Sequence, residues 1–320
     1  MRATIPDRLG LGVPDAGNGL SARVAVARSR LVRWIAGSRA AGRVPSRLLT
    51  EDEIAAFRRD GFVTVPAITT AEELDTLRGA YDRLFEEARG WKDGSLFDLV
   101  DIDRGAGEAR SPQLLNPSRF EPLLRDILFR ANALAMSRQL LGSRAALVFE
   151  HAIRKPPKIG AATAWHQDEA FYAAYTNYRA ITVWMPLQDV SPENGCMLYV
   201  PGSHRGPLLT HRSIGGDPRI HGLEALGVPV ERAVPCPLPA GGATFHDCRT
   251  LHCAGPNLSA GPRRAYALGF GVRAPEHTLR HEHPWNAEKR TLRQERERQA
   301  RGGLARLKAG AKQQIKALIR

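Results

Sequence analysis

No run of about 18 uninterrupted apolar residues occurs in this 320-residue chain, so nothing in it reads as a membrane-spanning helix. Its opening, MRATIPDRLGLGVPDAG, lacks the continuous apolar stretch of a secretory signal. Cysteine is scarce. The four present, Cys196, Cys236, Cys248 and Cys253, show no C-x-x-C spacing, which argues for reduced thiols of a cytoplasmic protein and against a disulfide framework. A G-x-S-x-G nucleophile elbow is missing, which removes the commonest hydrolase signature. There is no internal repeat either, so a solenoid or propeller is excluded.

Lysine is absent from the first 50 residues, yet nine Arg stand there against Asp7 and Asp15, about +7. Residues 279–320 carry twelve Lys or Arg against four Glu, about +8. The formal net charge is +13, so the middle of the chain is near −2. A nucleic-acid-binding core would carry its own basic face, and no nucleic-acid partner is expected here. Both ends can form basic amphipathic helices. In 301–320, Leu304, Leu307, Ala311, Ile315 and Leu318 make an apolar stripe beside Lys308, Lys312 and Lys316. Residues 23–43 repeat the arrangement with Arg. Such helices either pack on the protein with solvated charges or lie on an anionic membrane surface. The chain therefore divides into a basic arm (1–47), a central domain (48–278) and a basic helical tail (279–320), cytoplasmic and, if the ends bind lipid, membrane-peripheral.

Capping signatures predict three helix starts, at Thr50–Glu53, Thr70–Glu73 and Ser118–Glu121, with Gly61 and Gly142 stopping the first and third. From about 144 onward the texture changes to short segments rich in β-branched and aromatic residues, separated by Gly, Pro and Asn. Asn194-Gly195 is the strongest single turn signal. Helices first and strands afterward predict an antiparallel β sandwich or barrel with helices packed on one side.

The segment TAWHQDEAFY (163–172) sets His166 and Asp168 two apart, a spacing that aims both at one point on a strand. A single His-x-Asp is weak evidence, so a third ligand decides the matter. Among the later histidines, His204 follows a Pro-Gly turn and reads as structural. His211 and His221 fall in a Gly- and Pro-containing loop with no strand to hold them. His246 and His252 lie in or just after the strand-like stretch GGATFHDCRTLHCAGPN, and Arg263 follows His252 by eleven residues. Two imidazoles and one carboxylate on one side of an ion form the facial triad of non-haem Fe(II) oxygenases, with three positions left for small molecules. A 2-oxo acid that chelates there needs a fixed cation for its far carboxylate, and the planar fork of Arg suits it. His166, Asp168, His252 and Arg263 supply each part. Arg264 competes with Arg263, but strand neighbours face opposite sides and the spacing favours Arg263.

Over about 49–275 the chain resembles the phytanoyl-CoA dioxygenase family of Fe(II)/2-oxoglutarate oxygenases. The resemblance rests on LTEDEIAAFRRDGFVTVP, RKPP at 154–157, WHQDEAFY, NGCMLYVPGSH, and FHDCRTLHCAGPN leading to RRAYAL. It implies a double-stranded β-helix core of jelly-roll or cupin-like type. It also implies Fe(II) on His166, Asp168 and His252, and 2-oxoglutarate on Arg263. Gln167, Trp184 and His151 match positions that line the cosubstrate pocket in relatives, and Gln113 and Asn116 are placed to reach it from the helical half. Many relatives have Ser two residues after the distal His, where this chain has Ala254, so a hydroxyl contact to 2-oxoglutarate is lost. Related halogenases have Ala or Gly in place of the carboxylate. With Asp168 present, hydroxylation of a small-molecule or lipid/acyl substrate by dioxygen is the expected outcome, with desaturation or epoxidation as variants. A zinc site is chemically allowed by the same three ligands, and an acid/base hydrolase would leave Arg263 idle. The non-enzymatic reading is a cupin-like module bound to membrane or nucleic acid through its basic ends.

Overall fold

The computed structural model describes residues 43–105, 107, 109–173, 179–272 and 283–303. Most of the basic arm, the end of the tail beyond 303 and loop residues 174–178 lie outside that set, and with them the amphipathic readings of both ends. Among the described residues no helix is long and apolar enough to cross a membrane.

The first two caps form as expected. Helix α1 (Glu51–Asp60) starts at Thr50, whose Oγ1 accepts from the Glu53 N–H at 3.2 Å while the Glu53 carboxylate accepts from the Thr50 N–H at 2.9 Å. It ends at Gly61, left-handed at φ 81°. Helix α2 (Ala71–Glu86) is capped by Thr70, but its Glu73 turns away from that box. The Glu73 carboxylate instead accepts from the Leu128 and Phe129 N–H groups at 2.7 and 2.9 Å, capping helix α3 (Leu128–Leu141) across space. The third expected start is therefore displaced. Two 3₁₀ turns, Pro117–Arg119 and Pro122–Arg125, occupy its place. The Ser118 hydroxyl cannot cap a helix because it is spent on the Glu150 carboxylate.

Thirteen strands among the described residues make the rest: β1 (Phe62–Val65), β2 (Leu96–Asp98), β3 (Pro112–Leu115), β4 (Ala146–Lys155), β5 (Thr163–His166), β6 (Ala180–Pro186), β7 (Met197–Tyr199), β8 (His211–Ser213), β9 (Leu223–Ala225), β10 (Val234–Cys236), β11 (Ala243–Asp247), β12 (His252–Ala254) and β13 (Arg263–Gly271). The major sheet runs β1-β11-β6-β13-β4-β3-β2, the minor sheet β10-β7-β12-β5, and β8 pairs with β9. Every pairing within them is antiparallel. The core is thus the expected double-stranded β-helix with helices on one side. The helical half is less purely helical than the sequence suggests, because β1 to β3 extend both edges of the major sheet. The Asn194-Gly195 turn joins β6 to β7, which are not partners, so it carries the chain from one sheet to the other. Gly195 is required there, since a Cβ would meet the Gly255 carbonyl at 2.5 Å.

The period-2 alternation of the major sheet divides its functions. Ile181, Val183, Met185, Phe245, Leu268 and Phe270 point outward into one core with Leu77, Tyr81, Phe129 and Met136 of the helices. Each such fully buried side chain contributes about 1.5–3 kcal/mol. The alternate positions, including Thr182, Trp184, His246, Arg263 and Ala267, face inward and line a cavity.

Candidate metal centre

His166 closes β5 and His252 opens β12, and the two residues are direct partners across that strand pair. Side chains opposite one another stand on the same face, so the imidazoles meet with ring centroids 4.1 Å apart. Asp168 lies two residues beyond the strand, at the head of a 3₁₀ turn (Asp168–Phe171), and still points to the same side. Its Oδ1 is 3.7 Å from His166 Nε2 and 3.6 Å from His252 Nε2. One ligand atom from each of the three lies within 4.8 Å of the others, a cluster able to hold a metal ion.

The tautomers are set from behind. His166 Nδ1 is 2.8 Å from the Ala164 carbonyl and His252 Nδ1 is 2.8 Å from the Thr250 carbonyl. Each Nδ1–H donates to its carbonyl, leaving an Nε2 lone pair turned to the cluster. Burial, and for His252 also the imidazoles of His166 and His246, keeps both pKa values low. Burial alone would raise the Asp168 carboxyl, but the imidazoles of His252, His246 and His166 outweigh it and hold it far below the usual carboxylate range. Asp168 is also steered. The Thr182 hydroxyl donates to its Oδ2 at 2.6 Å, and His246 Nε2 lies 3.3 Å from the same oxygen. His246 is held in turn by Tyr199, whose hydroxyl bridges His246 Nδ1 at 3.0 Å and Thr244 Oγ1 at 2.7 Å. Thr182 and His246 are direct partners on β6 and β11.

Arg263 and Arg264 separate as strand alternation requires. Arg264 points to α2, where its Nε and Nη2 donate to Asp82 at 2.8 and 2.7 Å. Arg263 points inward, 1% exposed, with its guanidinium 5.4 Å from the Trp184 ring centre. Its Nε and Nη1 are buried without a hydrogen-bond partner, and burial lowers its pKa to about 10. Leaving such donors unpaired costs about 1–3 kcal/mol or more, which an arriving carboxylate would recover. Lys155, its partner across β4 and β13, donates instead to the Ala254 and Gly255 carbonyls at 3.2 and 2.7 Å and fixes the end of β12.

Of the remaining candidates, Trp184 and His151 line the cavity, and burial lowers the His151 pKa to about 4. Gln113 reaches it too, while Asn116 is spent on a left-handed turn outside. Gln167 is a correction. Lying between the two ligands, it faces the other way and is fully buried. Its amide donates to the Arg249 carbonyl at 2.8 Å and accepts from the Leu209 N–H at 2.8 Å, stapling loops behind the site. The histidines read as lying in an unanchored loop are anchored after all. His211 sits in β8 and accepts from the Gln167 N–H at 3.2 Å, and His221 packs edge-on against Phe97 in the cavity wall. Thr182 lies in none of the quoted motifs and Tyr199 is only one residue within NGCMLYVPGSH, so the register of their strands is what reveals their roles.

The cavity holds about 560 Å³, within the range of small-molecule sites. From the metal cluster it runs past Phe149, Leu115, Leu99 and Phe97. Its outer wall comes from the stretch 283–303, a short helix α4 (Pro284–Ala287) and a helical run over 292–303. Trp285 secures that stretch, its Nε1 donating to the Ala170 carbonyl at 2.8 Å and its ring stacked on His283. Arg293 and Arg296 clasp the β2 edge, donating to the Gly94 carbonyl at 2.9 Å and to Asp103 at 2.9 Å.

A fold, a three-ligand cluster and an orphaned inward arginine of this kind define an iron- and 2-oxoglutarate-dependent dioxygenase. The family model "Phytanoyl-CoA dioxygenase (PhyH)" matches residues 57–265, and the chain belongs to that family. It is 34% identical over 163 residues to a probable alpha-ketoglutarate-dependent hypophosphite dioxygenase of Stutzerimonas stutzeri, a match covering 49% of this chain and 56% of that protein. It is 26% identical over 234 residues to an ectoine dioxygenase of Bordetella bronchiseptica, covering 67% and 73%. Among solved structures it is similar to EvdO2 from Micromonospora carbonacea var. aurantiaca complexed with 2-oxoglutarate, at 35% identity and TM-score 0.64, covering 75% of this chain and 97% of that one.

Proposed function

We propose that His166, Asp168 and His252 hold Fe(II), that Arg263 binds the far carboxylate of 2-oxoglutarate beside Trp184, and that the enzyme hydroxylates a C–H bond of a small molecule lodged in the apolar part of the cavity. Bound iron and 2-oxoglutarate supply the oxidising chemistry, consuming dioxygen, releasing succinate and CO2 and delivering one oxygen atom to the substrate. The chain's own residues do the positioning. The Ala164 and Thr250 carbonyls fix the two rings. Thr182 engages Oδ2 of Asp168, so that Oδ1 is the oxygen turned to the imidazoles. Ala254 lines the inner cavity with a methyl, so Arg263 carries the anchoring of the keto acid without help from a hydroxyl there. The Phe97, Leu99, Leu115 and Phe149 walls exclude water and suit a substrate with a hydrocarbon body, of which a lipid or acyl compound is one type.

The observation that carries this reading is the unpartnered Arg263 guanidinium, buried in the same cavity as three preset ligand groups. A non-catalytic module would have no use for either. Purified protein given Fe(II), 2-oxoglutarate and air should form succinate, and His252→Ala should not. Absence of succinate from the wild-type protein across a broad screen of small metabolites, lipids and acyl-CoA compounds would refute it. We assign the oxygenase domain to 48–278, with 283–303 completing its wall. Peripheral membrane contact rests on the composition of the basic ends alone; equal liposome co-sedimentation of the full chain and of 48–303 would remove it.

A further inference from the structure

The cavity wall carries a second cationic group that the iron chemistry leaves unused. Lys289, from the turn between α4 and the 292–303 helix, lines the wall and is 7% exposed. Its ammonium lies 4.8 Å from the centre of the Phe171 ring, and among the described residues it makes no ion pair. Two carboxylates of its own stretch, Glu295 and Glu297, line a surface groove with Lys289 but form no ion pair with it, Glu297 being bound to Arg301. Asp168 is the one carboxylate among the described lining residues, and it belongs to the metal cluster, whose His166 ring stands 5.8 Å from the Phe171 ring. His221 adds a buried Nδ1 without a partner to the same wall. Burial, with Arg293 nearby, lowers the Lys289 pKa to about 7, in keeping with an ammonium that has no counter-ion among the described residues. A buried ammonium is tolerated at such a cost where something pairs with it, and here the pairing position opens into the cavity.

We propose that the substrate carries an anionic group, a carboxylate or a phosphate, which pairs with Lys289, while its apolar body runs along Phe97 and Phe149 toward the metal cluster. Lys289 is thereby a specificity-determining residue, contributed by a segment beyond the last strand. The inference rests on the dioxygenase reading for the reaction at the metal cluster, but the binding preference stands by itself. Its chemistry is that of an ion pair formed away from water, which gains more than a surface pair.

The test is calorimetric titration, under argon, of the full chain loaded with Fe(II) and 2-oxoglutarate. The probes are matched short- to medium-chain alkyl carboxylates, the corresponding primary amides and alkyl phosphates. At least one anion should bind about tenfold or more tightly than its amide, and comparison of carboxylate with phosphate identifies the preferred head group. Lys289→Met, which keeps the aliphatic packing on Phe171, should erase that preference, and Lys289→Arg should retain it, with melting temperatures checking that both fold. The proposal is overturned if no anion outbinds its amide, or if the folded Met variant keeps the preference. Substrate-independent succinate formation, measured in parallel, separates the two readings. Its presence without anion preference sinks only this inference, whereas anion preference with no succinate formed alone or across the broad screen sinks only the dioxygenase assignment.

Discussion

At the inner end of the cavity every functional side chain stands on a strand or within two residues of one. Elsewhere in the cavity wall Phe171, Asn286 and Lys289 come from turns and from the stretch after β13. The three groups of the metal cluster are each held by a second bond, His166 on Ala164, His252 on Thr250 and Asp168 on Thr182. Other wall groups are held by ring packing, as with His221 on Phe97 and Lys289 on Phe171. A metal centre tolerates little positional error, and paired strands with locked tautomers limit it. Recognition of a substrate body requires shape and charge, for which packed loops suffice.

The largest effect that this contrast predicts is at the ligands. Asp168→Ala or His166→Ala should lower succinate formation by about a thousandfold or more with little change in melting, since neither carries the helix-side core. Next comes the arginine pair. Arg263→Met should raise the KM for 2-oxoglutarate about a hundredfold, on the order of 2–3 kcal/mol, without lowering the melting temperature, because it removes an unpaired buried charge. Arg264→Met should do the reverse, costing about 1 kcal/mol of stability with the KM unchanged. If both variants behaved alike, the division of the sheet into an inward and an outward face would be wrong. Thr182→Val should weaken iron binding about tenfold by chelator competition and leave the 2-oxoglutarate KM in place. The smallest effect lies outside the cavity: Glu73→Gln should cost about 1 kcal/mol in urea unfolding, through loss of a charged cap on α3.

The same contrast explains what the sequence made readable. His166, Asp168 and His252 were legible because the i, i+2 spacing and a later histidine encode them locally. Alternation lets only one of Arg263 and Arg264 face inward, and the spacing from His252 favours Arg263. The β core was legible from texture, whereas β1 to β3, each only three or four residues long, gave no comparable signal. Gln167 misled because adjacency to two ligands says nothing about facing, and at an odd position it faces out. Ser118 misled because its hydroxyl is taken by Glu150, a partner 32 residues away. Glu73 satisfies the capping pattern of its own helix while serving a different one, which no local window reveals. Lys289 falls within the basic tail assigned to 279–320, where a charge run carries no mark of burial by a distant loop.

Gly94 shows how closely that last stretch is fitted: a Cβ there would stand 2.7 Å from the Arg293 carbonyl oxygen. The family match ends at residue 265, well before this docked piece. Oxidant and selector are therefore separate parcels of chain, joined through a seam of arginine clasps and one indole. Selection can rewrite the latter, changing which molecules are admitted, while the former continues to burn the same keto acid.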